Sequence, residues 1–171
     1  EAQISAISDD IAYNNHDIQD GIKANLFKLD ELMEIDFFKS IYLKYKNKIN
    51  KKNYKIVTYQ IIRDSIDLMI RDLLANTQKN LKDLNIKSVK DIARSGQLIV
   101  NFSDKLQNSE KEIRLFLRTK MYNNKLVLRK NQRGKVIIKK LFNIIKSNPR
   151  KFLSKDQLTK DKFRAISDFI S

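Results

Sequence analysis

Residues 2–22 read AQISAISDDIAYNNHDIQDGI, and within them Ile4, Ile7, Ile11, Ile18 and Ile22 recur at gaps of three, four, seven and four. At about 100° per residue these positions form one narrow apolar stripe, the signature of a helix that buries one side. The stripe is expected to be core. Around the opposite pole of the same wheel stand Asp9, Tyr13, His16, Asp17 and Asp20, including the chain's single histidine. A solvated helix face ordinarily mixes acids with bases at i,i+4 spacing, and this one has three short acids, no base and a phenol among them. Two readings fit these residues. One is a polar face with capping acids; the other is a site, because short carboxylates suit a hard or borderline cation and a Tyr beside Asp suits sugar or phosphate oxygens.

The rest of the composition supports an all-α chain. Its 171 residues are long enough for a buried core, 42% are hydrophobic, and only three Gly and one Pro interrupt them. There is no cysteine, so no disulfide framework or thiolate metal site exists, in keeping with an expected cytoplasmic location. No apolar run approaches membrane-spanning length and no leader pattern opens the chain, so no membrane partner is expected. Glu1 already lies in a helical pattern, and the set Phe163, Ile166, Phe169, Ile170 stops at Ser171 without a cap. A fragment of a longer protein is therefore expected.

Beyond the first stretch, Gly21 is a candidate to end or bend its helix. Spacing predicts a helix over 36–50 from Phe37, Phe38, Ile41, Tyr42, Tyr45 and Ile49, and a long one from Lys52 or Asn53 to about Leu84. Between Phe37 and Ile62 every charged residue is Lys, interleaved with Tyr42, Tyr45, Tyr54 and Tyr59. Such tyrosines are either half-buried packing residues or a platform for single-stranded nucleic acid. Ser88 and Gly96 bracket a short helix, and Leu98–Phe102 reads as an extended connection without a sheet, followed by a Ser103 cap. Ser109 and Glu112 are spaced as a capping box for the next helix, which carries Arg114 and Tyr122 about 80° apart on its wheel. From Lys125 to Lys151 there are ten basic residues and no acid, with Gly134 a possible break and Pro149 a stop. A last helix is expected over Thr159–Ile170. The formal charge of +15 fits either a polyanionic partner or a lysine-rich surface of no particular function; the acid-free 125–151 strip argues for the former.

The run EAQISAISDDIAYNNHDIQDGIKANLF, residues 1–27, resembles the segment that follows the His-Asp motif in the HD-domain deoxynucleoside triphosphate triphosphohydrolases, the bacterial dGTPase-like proteins. That family's pattern is close to EAQ-x-A-x-ADxIAYNxHDxxDGxxAGLF, from which this chain departs by Ser8 for Ala and Asn25 for Gly. A second point of resemblance is Ile113–Tyr122, similar to the family's Leu-Lys-x-Phe-Leu-x-x-x-Met-Tyr. The resemblance implies an HD-like helical bundle portion, with 1–27 the last active-site helix of the HD core and 28–171 a helical region forming a single unit with that core. It implies that Asp9 is the last of four protein ligands to a divalent metal, whether Mg, Mn, Fe, Ni or Zn, the others lying upstream with the catalytic acid. Tyr13 would face sugar and phosphates, Asp17 the deoxyribose 3′-hydroxyl, Arg114 the triphosphate, and Tyr122 the substrate; the residues alone equally allow a surface ion pair of Arg114 with Glu110 and core packing for Tyr122. His16 with Asp17 spells His-Asp but falls outside the metal-binding pair, so His16 is read as a polar residue of the cleft.

Two functions follow as expectations. The first is part of a metal-dependent dNTP triphosphohydrolase that converts a dNTP to a deoxynucleoside and triphosphate, the chain alone being inactive and the protein a homo-oligomer. The alternative is an inactive, basic helical module related to the hydrolases that binds nucleic acid. Either a nucleotide effector, single-stranded nucleic acid or an acidic neighbouring subunit would suit the Lys125–Lys151 strip.

Overall fold

The computed structural model describes residues 1–158 and 161–171, and among them every regular element is helical. The chain divides into two compact units, Glu1–Tyr122 and Asn123–Ser171. The first helix buries its stripe among residues that follow it, within the first unit.

Helix α1 spans Ala2–Lys23 and packs against the long α3, Tyr54–Asp83, and against α5, Asp104–Leu117. Ile11 and Ile18 are buried and Ile7 and Ile22 are packed against the same core. Ile4 is a correction: it is 55% exposed. The first turn is anchored instead by Gln3, whose Oε1 accepts the N–H groups of Ile99 and Val100, both at 3.1 Å. Gly21 also differs from expectation, since the helix runs through it. A Cβ there would lie 2.2 Å from Cε1 of Phe27, so the glycine is needed for the close approach of that ring. Phe27 in turn meets Phe116 edge to face at 4.9 Å.

The helix closes in a Schellman motif. Leu26 N–H donates to the Gly21 carbonyl at 2.9 Å and Asn25 N–H to Ile22 at 3.1 Å, with Asn25 left-handed at φ 53°. That conformation is one Gly or Asn adopts readily, which accounts for Asn25 at a position where the family pattern has Gly. Asn85, at φ 49°, ends α3 in the same way.

A 3₁₀ turn over Leu29–Glu34 leads to α2, Asp36–Leu43. The predicted helix over 36–50 is therefore short, with a 3₁₀ turn at Lys46–Lys48. Helix α4, Val89–Ser95, has the predicted Ser88 cap and a left-handed Gly96. The extended 98–102 connection needs no strand partner because side chains take its backbone groups. Asn80 Nδ2 donates to Ile99 O at 2.9 Å, and Asn76 Nδ2 to Asn101 O and Phe102 O at 3.0 and 3.1 Å. Ser103 caps α5, placing its start five residues before the predicted Ser109–Glu112 box; Ser109 lies inside the helix and bonds back to Lys105 O. The apolar sets also overstate the core, since Ile56, Ile70, Leu74 and Leu115 are exposed.

In the second unit α6 runs unbroken through Gly134 from Lys125 to Ser147, and Pro149 opens a 3₁₀ turn. Helix α7 is Lys162–Ile170, capped by Asp161; the Thr159 end of the predicted helix lies outside the described residues. Ile145, Leu153 and Ile166 form this unit's own small core. Much of α6 is left uncovered, with Leu126, Ile137, Leu141 and Ile144 exposed.

Candidate functional site

The polar side of α1 meets α5 along a line of hydrogen-bonding groups. Asp10, Asn14 and Asp17, at gaps of four and three, share one flank of α1. Glu110 and Arg114, also four apart, face them from α5. Arg114 Nη2 lies 2.8 Å from Asp10 Oδ2, and its Nε donates to Glu110 Oε1. Asn14 Nδ2 donates to the same Glu110 oxygen at 3.2 Å. The guanidinium is thereby held between carboxylates from two helices. Hydrogen bonding to Glu110 above all raises its already high pKa, so the charge is fixed at any accessible pH.

Tyr122 reaches the same line by a different route. Helix α5 ends at Leu117, and Arg118–Tyr122 forms a wider π turn, so the 80° spacing read from a continuous helix does not apply. In this turn the Tyr122 hydroxyl donates to Asp17 Oδ2. Partial burial and then the hydrogen bond to Asp17 push the phenol up to about 12, with nearby Arg114 opposing. Tyr122 is therefore neutral and a donor at neutral pH. π turns of this kind often occur where a side chain must be re-aimed. The turn is tied down by Lys120, whose Nζ donates to Glu31 Oε2 at 2.6 Å.

Beneath this line Asn15 is fully buried. Its Nδ2 donates to Ile11 O at 2.8 Å and approaches Met69 Sδ at 3.4 Å, while Ser65 Oγ donates to its Oδ1. A buried amide with both ends engaged fixes the rotation of α1 against α3, and hence which residues face outward.

Of the residues proposed from sequence, the structure brings Asp17 and Tyr122 into contact and sets Arg114 on the same flank through Asp10. Asp9, Tyr13 and His16 stand on the exposed side of α1, Tyr13 at 68% exposure. Among the described residues no three His, Cys, Asp or Glu side chains are grouped closely enough to hold a metal. The donor chemistry thus fits a single carboxylate arm, Asp9, and not a whole metal site. Sequence reading named Glu110 only as the alternative ion-pair partner of Arg114, a pairing the structure contains, and it missed Asp10, Asn14 and Asn15. The only signal was that the pairs 10/14 and 110/114 each have four-residue spacing, which does not reveal that the two pairs meet.

Known proteins match this chain in sequence. A family described as "Phosphohydrolase-associated domain" matches residues 100–171. The chain is 63% identical over its whole length to the "Deoxyguanosinetriphosphate triphosphohydrolase-like protein" of Pelagibacter ubique, covering 46% of that protein. A protein of the same description from Rhizobium meliloti is 32% identical over 149 residues, 87% of this chain and 37% of the relative. Another, from Leptospira interrogans, is 31% identical over 177 positions, all of this chain and 46% of the relative. The class is that of the helical phosphohydrolase-associated proteins. More specifically, the chain belongs to the dGTPase-like HD family, and it spans less than half the length of these relatives.

Proposed function

We propose that this chain is the portion of a metal-dependent dNTP triphosphohydrolase that supplies one metal ligand and one wall of the substrate cleft. The observation that supports it is the Arg114–Asp10 and Tyr122–Asp17 line, which puts two residues from the far end of the helical region on the helix that carries Asp9. In the reaction a water oxygen bonds to the α-phosphorus, the bond to the 5′-oxygen breaks, and that oxygen leaves protonated. The products are a deoxynucleoside and triphosphate. A divalent metal would supply Lewis-acid charge at the phosphate oxygens.

This chain's own residues have separable tasks in that reading. Asp9 offers its exposed carboxylate as one metal ligand, the others coming from the rest of the protein. Arg114, held to Asp10 and Glu110, presents a fork for triphosphate oxygens. Asp17 accepts the 3′-hydroxyl, with neutral Tyr122 fixing its rotamer and lining the sugar side, and exposed Tyr13 covers sugar and phosphates. The deciding experiment is made on the longer natural protein. Asp9→Ala should lower metal content measured by mass spectrometry and abolish triphosphate release, and Asp17→Asn should mainly raise KM. Wild-type hydrolysis by Asp9→Ala would end the assignment.

A second reading has its own observation. Asn123–Ser171 holds 14 of the 35 basic residues and 3 of the 20 acidic ones, and the α6 lysines and arginines are exposed. If this unit binds nucleic acid, affinity for an oligonucleotide should fall steeply with salt.

A further inference from the structure

The lysine-only stretch 37–62 carries four tyrosines, and the structure sorts them. Tyr42, Tyr45 and Tyr54 are packed against the core of the first unit. The Tyr45 hydroxyl donates to Asp64 Oδ2 at 2.8 Å, and the Tyr54 hydroxyl accepts the Leu29 N–H at 3.3 Å. Tyr59 is different. Its ring borders a groove of about 280 Å³ between the end of α1 and the start of α3, with Gln19, Ile22, Thr58 and one side of Tyr54 as further walls. Two ammonium groups stand over that ring, Lys23 Nζ from α1 and Lys55 Nζ from α3, each 5.9 Å from its centroid.

We propose that this groove binds a nucleotide unit, with the base against Tyr59 and the phosphate between Lys23 and Lys55. A flat apolar surface beside a pair of cations matches a ligand that is aromatic at one end and anionic at the other. Both ammoniums sit near the outer limit of a cation–ring contact, so they leave room against the ring face. Among the described residues the acid that pairs with them is Asp20, 3.3 Å from Lys23, in an exposed ion pair that is weak enough for a phosphate to replace. Exposed Lys51 and Lys52 precede α3 and add to the positive field. The groove differs from the cleft proposed above, since Gln19 and Lys23 lie about 120° around α1 from Tyr13 and Asp17. The ligand is either a free nucleotide or one unit of a single strand.

The test uses the full chain in EDTA, so that metal-dependent hydrolysis plays no part. NMR would follow the Tyr59 ring resonances in the wild type, and the backbone amides of Lys23, Lys55 and Thr58 in every variant, during titration with dTMP, thymidine, inorganic phosphate and the oligonucleotide dT10. The expected result is a saturable shift with dTMP, with thymidine and phosphate each at least tenfold weaker. Tyr59→Leu and the double variant Lys23→Gln/Lys55→Gln should each weaken dTMP about tenfold or more, while Tyr59→Phe retains it. Amide spectra establish that the variants are folded. Binding of dT10 tighter than dTMP by more than the tenfold its registers allow would assign a strand, with a salt slope shallower by about 0.7 per lysine removed; binding within that factor would assign a free nucleotide. Absence of Tyr59 shifts at millimolar dTMP, thymidine binding as well as dTMP, or unchanged binding by Tyr59→Leu would each overturn the proposal. Loss of the shifts in Asp17→Asn would also overturn it, by assigning dTMP to the other cleft.

Discussion

Gly21 and Gly134 both lie inside helices, and replacing each with alanine separates steric from conformational effects. Alanine in a helix interior gains about 0.8–1 kcal/mol over glycine by losing less backbone freedom. At Gly134 nothing lies within 4 Å of the new Cβ, so Gly134→Ala should stabilise the second unit by nearly that amount. At Gly21 the new Cβ would meet Phe27 Cε1 at 2.2 Å and Cζ at 2.4 Å, more than an ångström inside ordinary contact. Phe27 is itself only 3% exposed and lies against Phe116, so its ring has little room to withdraw. Overpacking of this kind typically costs about 1–3 kcal/mol, and this contact belongs at or beyond the upper end. After subtracting the helix gain, Gly21→Ala should destabilise the first unit by about 2 kcal/mol. Amide hydrogen exchange reads each unit separately and avoids assuming that the two unfold together. Phe27→Leu should be less harmful in the Gly21→Ala background than in the wild type, giving a favourable coupling of about 1 kcal/mol or more. A Gly21→Ala chain as stable as the parent, or a double variant with purely additive losses, would refute the close-approach account of Gly21.

Three further outcomes follow from the same geometry. Ser65→Ala strands the buried Asn15 Oδ1 and should cost about 1–3 kcal/mol, read as earlier urea unfolding of the first unit, whereas exposed Ser171→Ala should have no effect. Ultraviolet titration should find one tyrosine ionising near pH 12 that is missing in Tyr122→Phe and moves lower in Asp17→Asn. Because the folded-state pKa is raised above 10, the stability this phenol contributes is present below pH 10 and lost between 10 and about 12. Glu31 is held below its usual pKa of 4.5, chiefly by the hydrogen bond from Lys120 and then by the Lys28 N–H. Its contribution is therefore present above pH 4.5 and lost as pH falls below it, and Glu31→Gln should flatten the acid limb of the stability–pH curve.

How far the sequence was legible depends on what kind of contact decides each feature. The isoleucine spacing specified α1 and its buried side, and cap chemistry located α4 through Ser88 and Gly96. Local rules failed where two segments satisfied the same rule. Ser109 and Glu112 have capping-box spacing, but Leu106 is buried, and its burial carries α5 back to Ser103. In α3, Ile56 and Leu74 are as apolar as Ile61 and Leu73, and only the position of α1 and α2 determines which pair is covered. The site shows the same limit. Asp9, Tyr13, Asp17, Arg114 and Tyr122 came from resemblance and Glu110 from its four-residue spacing to Arg114, whereas Asp10 and Asn14 became visible only when two four-residue pairs, nearly a hundred residues apart, met side by side. Tyr122 needed the π turn, which no periodicity announces.

The boundary at Tyr122 has a practical consequence for handling the molecule. The match to the phosphohydrolase-associated family begins at residue 100, inside the connection that precedes α5, although whole-length relatives extend to residue 1. A gene fragment cut there would keep α5 and lose everything it leans on, baring Ile113, Phe116 and Leu117, which are buried among α1, α2 and α3 residues in the intact chain. A cut after Tyr122 severs the polypeptide but leaves both hydrophobic interiors whole, so the two halves of a chain nicked there should stay soluble where a fragment starting at residue 100 precipitates.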